Sequence, residues 1–187
     1  TPDFLIIKPR NANFLWSVWT SAITISDVQG LTLNSQGALF TNSSYRTIQA
    51  TSSVVKIGRQ AVENNSTNFV CYAFKEVKGF SRFGSFTGNG STDGTFVFTG
   101  FRPAWILIKS SSNGEPWNLV DIKRDTFNVM GDYLQPNTQG AEGTLAFVDG
   151  LSNGFKLRSS GSGFNGNGYT FIYIAFAEQP FKFSNGR

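Results

Sequence analysis

Asp121 and Asp125 stand four residues apart beside Lys123 and Arg124, a spacing that invites acid/base chemistry. On an extended strand they would share one face about 13 Å apart, too far for a glycosidase pair unless the chain turns between them. Solvated charge with local ion pairing is the preferred reading. The run Thr87-Gly88-Asn89-Gly90-Ser91-Thr92-Asp93-Gly94 places side-chain oxygens at Asn89, Ser91 and Asp93, alternating as in a calcium loop. It supplies a single acid and has neither a Walker lysine nor a following helix, so a plain turn is preferred over a cation or nucleotide site. Trp16, Trp19 and Trp117 are the ligand-binding candidates, because an exposed indole stacks on the apolar face of a pyranose. All three lie in strand-like runs, where core packing and a sugar platform are both open readings. Trp105 is read as core, since it takes the slot that Phe4 holds earlier in the chain.

Much chemistry is excluded outright. The chain has no histidine, which removes Ser-His-Asp and Cys-His couples, zinc-protease helices and nitrogen-ligated metals. Cys71 is a single cysteine, so it forms neither an intrachain disulfide nor a multi-cysteine zinc site. No catalytic residue, metal or cofactor is assigned. The 16 Lys+Arg against 12 Asp+Glu give a net charge of +4, and the basic residues are spread from Lys8 to Arg187. Nucleic-acid binding calls for a denser stripe, so no nucleic-acid partner is expected. No stretch approaches the roughly 20 apolar residues of a membrane span, and no membrane insertion is expected. The chain opens at Thr1 rather than at a methionine, which leads us to expect a piece of a longer or processed protein.

The elements that would position these residues follow from composition and from internal repetition. In 187 residues there are 20 Gly and 19 Phe, a balance that favours strands and turns over helices and makes an all-β fold the expectation. The chain also aligns with itself. Pro2 to Lys8 matches Pro103 to Lys109 at an offset of 101; Val55-Lys56-Ile57 answers Phe155-Lys156-Leu157; and Phe69 to Phe74 answers Phe171 to Phe176 at an offset of 102, with Glu76 opposite Glu178. We therefore expect two tandem antiparallel β-sandwich domains, residues 1–78 and 79–187. Residues 79–101 read as a hairpin, with Phe80, Phe83 and Phe86 on one arm and Phe96 to Phe98 on the other. Further strands are predicted at Trp105–Lys109, Trp117–Ile122, Asp132–Leu134, Leu145–Val148, Gly154–Arg158 and Tyr169–Ala177. The closing strands FVCYAF and FIYIAF are apolar on both faces, which predicts a buried central position for each.

The segments Gly100-Phe101-Arg102-Pro103-Ala104-Trp105-Ile106-Leu107-Ile108-Lys109, Phe80 to Gly94 and Ala175 to Lys182 resemble repeats of bacteriophage virion-associated proteins, often tail-fibre or appendage components. The resemblance covers nearly all of 79–187 and is weaker over 1–78. It implies a phage structural protein with a jelly-roll or concanavalin-A-like sandwich, and it carries over no catalytic residues.

The functional expectation is a non-enzymatic bacteriophage virion protein, a tail-fibre, appendage or capsid-decoration subunit, made in the bacterial host cytoplasm and residing on the particle surface. Its expected partners are copies of itself, with a trimer as first guess, and other virion proteins. The alternative is a carbohydrate-binding module that recognises a host surface glycan; a polysaccharide-cleaving enzyme is the least favoured. Because residues 1–78 lack a counterpart of the 79–101 hairpin, the Pro2–Lys8 strand is expected to have a gap beside it that is filled either by chain upstream of Thr1 or by a strand added from another subunit.

Overall fold

The computed structural model describes residues 1–11, 13–26, 29–41, 49–56 and 68–181. It is all-β, with two large antiparallel sheets and one short helix. The first sheet is built from β1 (Phe4–Pro9), β2 (Ser17–Thr20), β3 (Gln29–Thr32), β4 (Phe40–Thr41) and β7 (Phe69–Phe74), in the order β4-β3-β2-β1-β7. β5 (Gln49–Ala50) and β6 (Val55–Lys56) pair separately. The second sheet contains β8 (Ser81–Thr87), β9 (Phe96–Phe98), β10 (Pro103–Ser110), β11 (Asn118–Asp121), β12 (Met130–Leu134), β13 (Gly143–Leu151), β14 (Gly154–Leu157) and β15 (Thr170–Ala177). Its order, β8-β15-β10-β11-β12-β13-β14-β9, curls it into a nearly closed barrel whose seam lies between β8 and β9. Helix α1 (Ser162–Asn165) interrupts the glycine-rich stretch before β15.

Strand alternation assigns each apolar residue to one of two cores. Along β10, Ile106 and Ile108 point into the barrel with Phe171, Tyr173 and Ala175 of β15. The intervening Trp105 and Leu107, with Ile172, Ile174 and Phe83, point outward onto the first sheet and meet Phe4, Ile6, Val18, Leu31 and Phe74. This second core binds the two sheets together. On the far face of the first sheet, Leu5 and Ile7 are fully buried against Trp19, Ala50, Val55 and Phe69.

The repeat read from the sequence recurs as strand register. Phe4 pairs with Phe74 and Leu5 with Ala73 in the first sheet; Trp105 pairs with Phe176 and Ile106 with Ala175 in the second. The correspondence extends to the next strand, where Leu5 faces Trp19 and Ile106 faces Val120.

Three expectations need correction. First, the two arms of residues 79–101 form strands but do not pair with each other: β8 joins β15 and β9 joins β14, at opposite ends of the sheet. The loop between them bridges the barrel seam instead of closing a hairpin. Second, the expected burial holds for β15, where residues Phe171 to Ala175 are buried, but not for β7, where Cys71, Tyr72 and Ala73 are exposed. β15 lies between β8 and β10, whereas β7 is an edge with β1 as its neighbour among the described residues. Third, the strand beginning near Pro2 is not the open one, because β1 is flanked by β2 and β7. Among the described residues the sheet's edges are β4 and β7, and β7 is the one beside β1.

Candidate functional site

The tryptophans fall in three settings. Trp117 is fully buried between the sheets, and its indole N–H donates to the Thr32 carbonyl at 2.9 Å, so it has no open face to offer a sugar. Trp19 is half-buried against Leu5 and Ile7, and Trp16 is half-buried with its backbone N–H donating to Asn34 Oδ1 at 2.9 Å. They are therefore placed on different parts of the sheets and share no binding surface with Trp117. Trp105 packs beside Phe176 at 5.6 Å in the core between the sheets.

The carboxylates are committed to backbone. The chain does turn after β11, and Asp121 Oδ1 accepts the Lys123 N–H at 2.7 Å while Asp125 Oδ2 accepts the Gly131 N–H at 2.7 Å. Each stabilises its own turn, and the ion pair of this region joins Arg124 to Glu142 instead. The Thr87–Gly94 loop is likewise structural. Fully buried Asn165 donates from Nδ2 to Asn89 Oδ1 at 2.8 Å and to the Ser91 carbonyl at 2.9 Å, and accepts the Asn89 N–H. Asp93 faces Lys156 at 2.5 Å and Arg158 at 3.5 Å, and these cations hold its carboxyl below the usual range. Two cations beside the loop's one acid disfavour a bound metal ion.

Lys109, the last residue of the GFRPAWILIK run, carries a function that sequence reasoning missed. It is fully buried, and its ammonium donates to the carbonyls of Ser110 at 2.7 Å, Gln36 at 3.2 Å and Asn113 at 3.5 Å. Burial pushes its pKa down to about 8, against the opposing pull of Glu115. With its donors taken up by carbonyls, it ties the first-sheet loop at Gln36 to the second sheet and is not a free base. Its half-buried counterpart Lys8 donates to the Phe14 carbonyl at 2.7 Å, within the β1–β2 connection of its own sheet. The shared lysine after an apolar run was the available signal.

Two surfaces remain uncommitted. One is the mouth of the barrel seam, a cleft of about 510 Å³ lined by Glu76, Lys78, Arg82, Phe98, Thr99 and Asn153. Arg82 pairs with Glu76 at 3.1 Å, while its Nε is buried without a partner among the described residues. Phe98, at 57% exposure, projects beside it. At the other end of the seam the strands are held together, Thr95 Oγ1 donating to the Thr87 carbonyl at 2.9 Å.

The other surface is the β7 edge. The N–H groups of Arg10 and Asp3 donate to the carbonyls of Asn68 and Phe74, at 2.7 and 2.8 Å. With the β1–β7 register, this turns the backbone groups of Val70, Tyr72 and Phe74 toward β1 and those of Phe69, Cys71 and Ala73 outward. Tyr72 is 47% exposed, and partial burial raises the Cys71 pKa, which leaves little thiolate at neutral pH.

The fold and these surfaces define an all-β protein of two stacked antiparallel sheets whose strand registers repeat, with β7 at one edge of the first sheet among the described residues. The family described as Domain of unknown function (DUF7483) matches residues 1–180, and the chain belongs to that family. No curated protein and no solved structure matches it.

Proposed function

We propose that this chain is a non-enzymatic structural protein of a bacteriophage particle, a tail-fibre, appendage or capsid-decoration subunit that assembles with copies of itself and attaches to surfaces. The observation that supports this reading is the apolar edge of β7, open among the described residues, since an exposed strand edge in an otherwise well-buried sheet invites pairing with another chain. The phage setting rests on the resemblance of the 79–187 motifs. In this reading the fold is a pair of tandem sandwich repeats of jelly-roll or concanavalin-A-like type, supported by the shared register of β1/β7 and β10/β15. Light scattering across a concentration series tests it. A homo-oligomer, with a trimer as first guess, is the expected result; a monomer at every workable concentration would count against self-assembly.

A second reading, glycan recognition, is favoured by the seam cleft, where exposed Phe98 stands among the polar side chains of Arg82, Thr99 and Asn153. An aromatic face next to polar donors suits a pyranose. A glycan array with wild type and Phe98→Ala separates the two readings: specific binding lost on substitution would support recognition over assembly alone.

A further inference from the structure

We propose that the open edge of β7 is a receptor for a donated strand, an extended segment of a separate polypeptide that carries the β8 pattern and adds antiparallel to β7. The argument comes from the equivalent place in the second sheet. There β15 receives β8, with Phe171 facing Phe86, Tyr173 facing Gly84 and Ala175 facing Arg82. The Ala177 N–H donates to the Phe80 carbonyl at 2.9 Å, which directs the odd-numbered residues of β15 toward β8. At the offset of 102 these residues correspond to Phe69, Cys71 and Ala73, the residues whose backbone groups face outward from β7. The same slot is thus filled by the chain itself in one sheet and, among the described residues, open in the other.

The occupant's chemistry follows from the same comparison. Between Phe69 and Phe74 there is no charged side chain, so recognition proceeds through backbone hydrogen bonds and apolar contact. On the face directed at the other sheet, Phe83 of β8 stands opposite Ile174; Tyr72 holds the corresponding place and lies exposed. The donated strand therefore brings an apolar residue opposite Tyr72 and runs antiparallel to β7.

This proposal rests on the assembly reading in that it names the partner strand, but it can stand if the chain alone is monomeric. The test titrates a synthetic peptide with the sequence of residues 79–88, GFSRFGSFTG, into the full chain by calorimetry, with a scrambled peptide as control and light scattering in parallel. Saturable 1:1 binding is expected, weakened at least about tenfold by Ala73→Pro, which removes an outward N–H without touching the ladder to β1. If Ala73→Pro does not fold, Cys71→Pro removes another outward N–H. Binding no better than that of the scrambled peptide would overturn the proposal. So would self-association abolished by the proline with no peptide binding, which would assign the edge to a second copy.

Discussion

Phe74 and Phe176 hold the same place in the two repeats, and they meet edge to face with ring centroids 6.4 Å apart. Each lies at the C-terminal end region of the strand that closes its repeat, Phe74 last in β7 and Phe176 next to last in β15, and Phe83 lies within 6.2 Å of both. The two copies of one motif therefore meet in the core that joins the sheets. Phe176 also contacts Trp105 and Phe80, whereas Phe74 sits on the edge strand. Phe176→Ala should cost about 3 kcal/mol and Phe74→Ala less, about 1 to 2 kcal/mol, as measured by urea unfolding. An unchanged midpoint for Phe176→Ala would remove this contact from the account.

Lys109→Met should destabilise by about 2 to 3 kcal/mol, because it leaves buried carbonyls without their donor. Lys8→Met, at the equivalent but half-buried position, should cost under about 1 kcal/mol. Equal effects in urea unfolding would show that burial does not distinguish the two lysines.

Asp3 gives a pH dependence of known sign. Burial raises its pKa, but hydrogen bonds from Lys75, the Glu76 N–H and Ser21 outweigh this and hold it below its ordinary 3.8. A carboxylate lowered on folding contributes stability that is present above its unfolded pKa and is lost as pH falls through the folded one. Stability should therefore drop below about pH 4, and Asp3→Asn should flatten that slope. A parallel slope in the variant, read from melts at stepped pH, would contradict it.

The glycines of the seam loop make a steric prediction. A Cβ on Gly88 would lie 2.3 Å from the Gly166 carbonyl oxygen, and one on Gly94 would lie 2.5 Å from that of Leu157. Alanine at either should cost about 1 to 3 kcal/mol, while Gly140→Ala, which meets nothing closer than 3.5 Å, should be near neutral in the same melt. Neutral Gly88→Ala would show that the loop is looser than described.

The sequence carried the strands and the repeat because strand periodicity and copied motifs are local signals. Phe4 against Trp105 and Phe74 against Phe176 were legible as offsets, and the registers bear them out. What could not be read was neighbourhood. FVCYAF and FIYIAF look alike as strings, yet one is an exposed edge and the other a buried centre, a difference set by whether β8 lies alongside. The arms of residues 79–101 suggested a hairpin because they are adjacent in sequence, but the barrel sends them to opposite edges. The cleft around Arg82 escaped notice for the same reason, since Glu76, Phe98 and Asn153 converge only when the seam forms.

The most direct test of the open-edge account is amide hydrogen exchange along β7 in the dilute chain. Val70, Tyr72 and Phe74, bonded to β1, should exchange slowly, and Phe69, Cys71 and Ala73 should exchange fast, while the corresponding Phe171, Tyr173 and Ala175 of β15 stay protected by β8. Uniform protection of all six β7 amides in the monomeric chain would contradict the claim that this edge stands open.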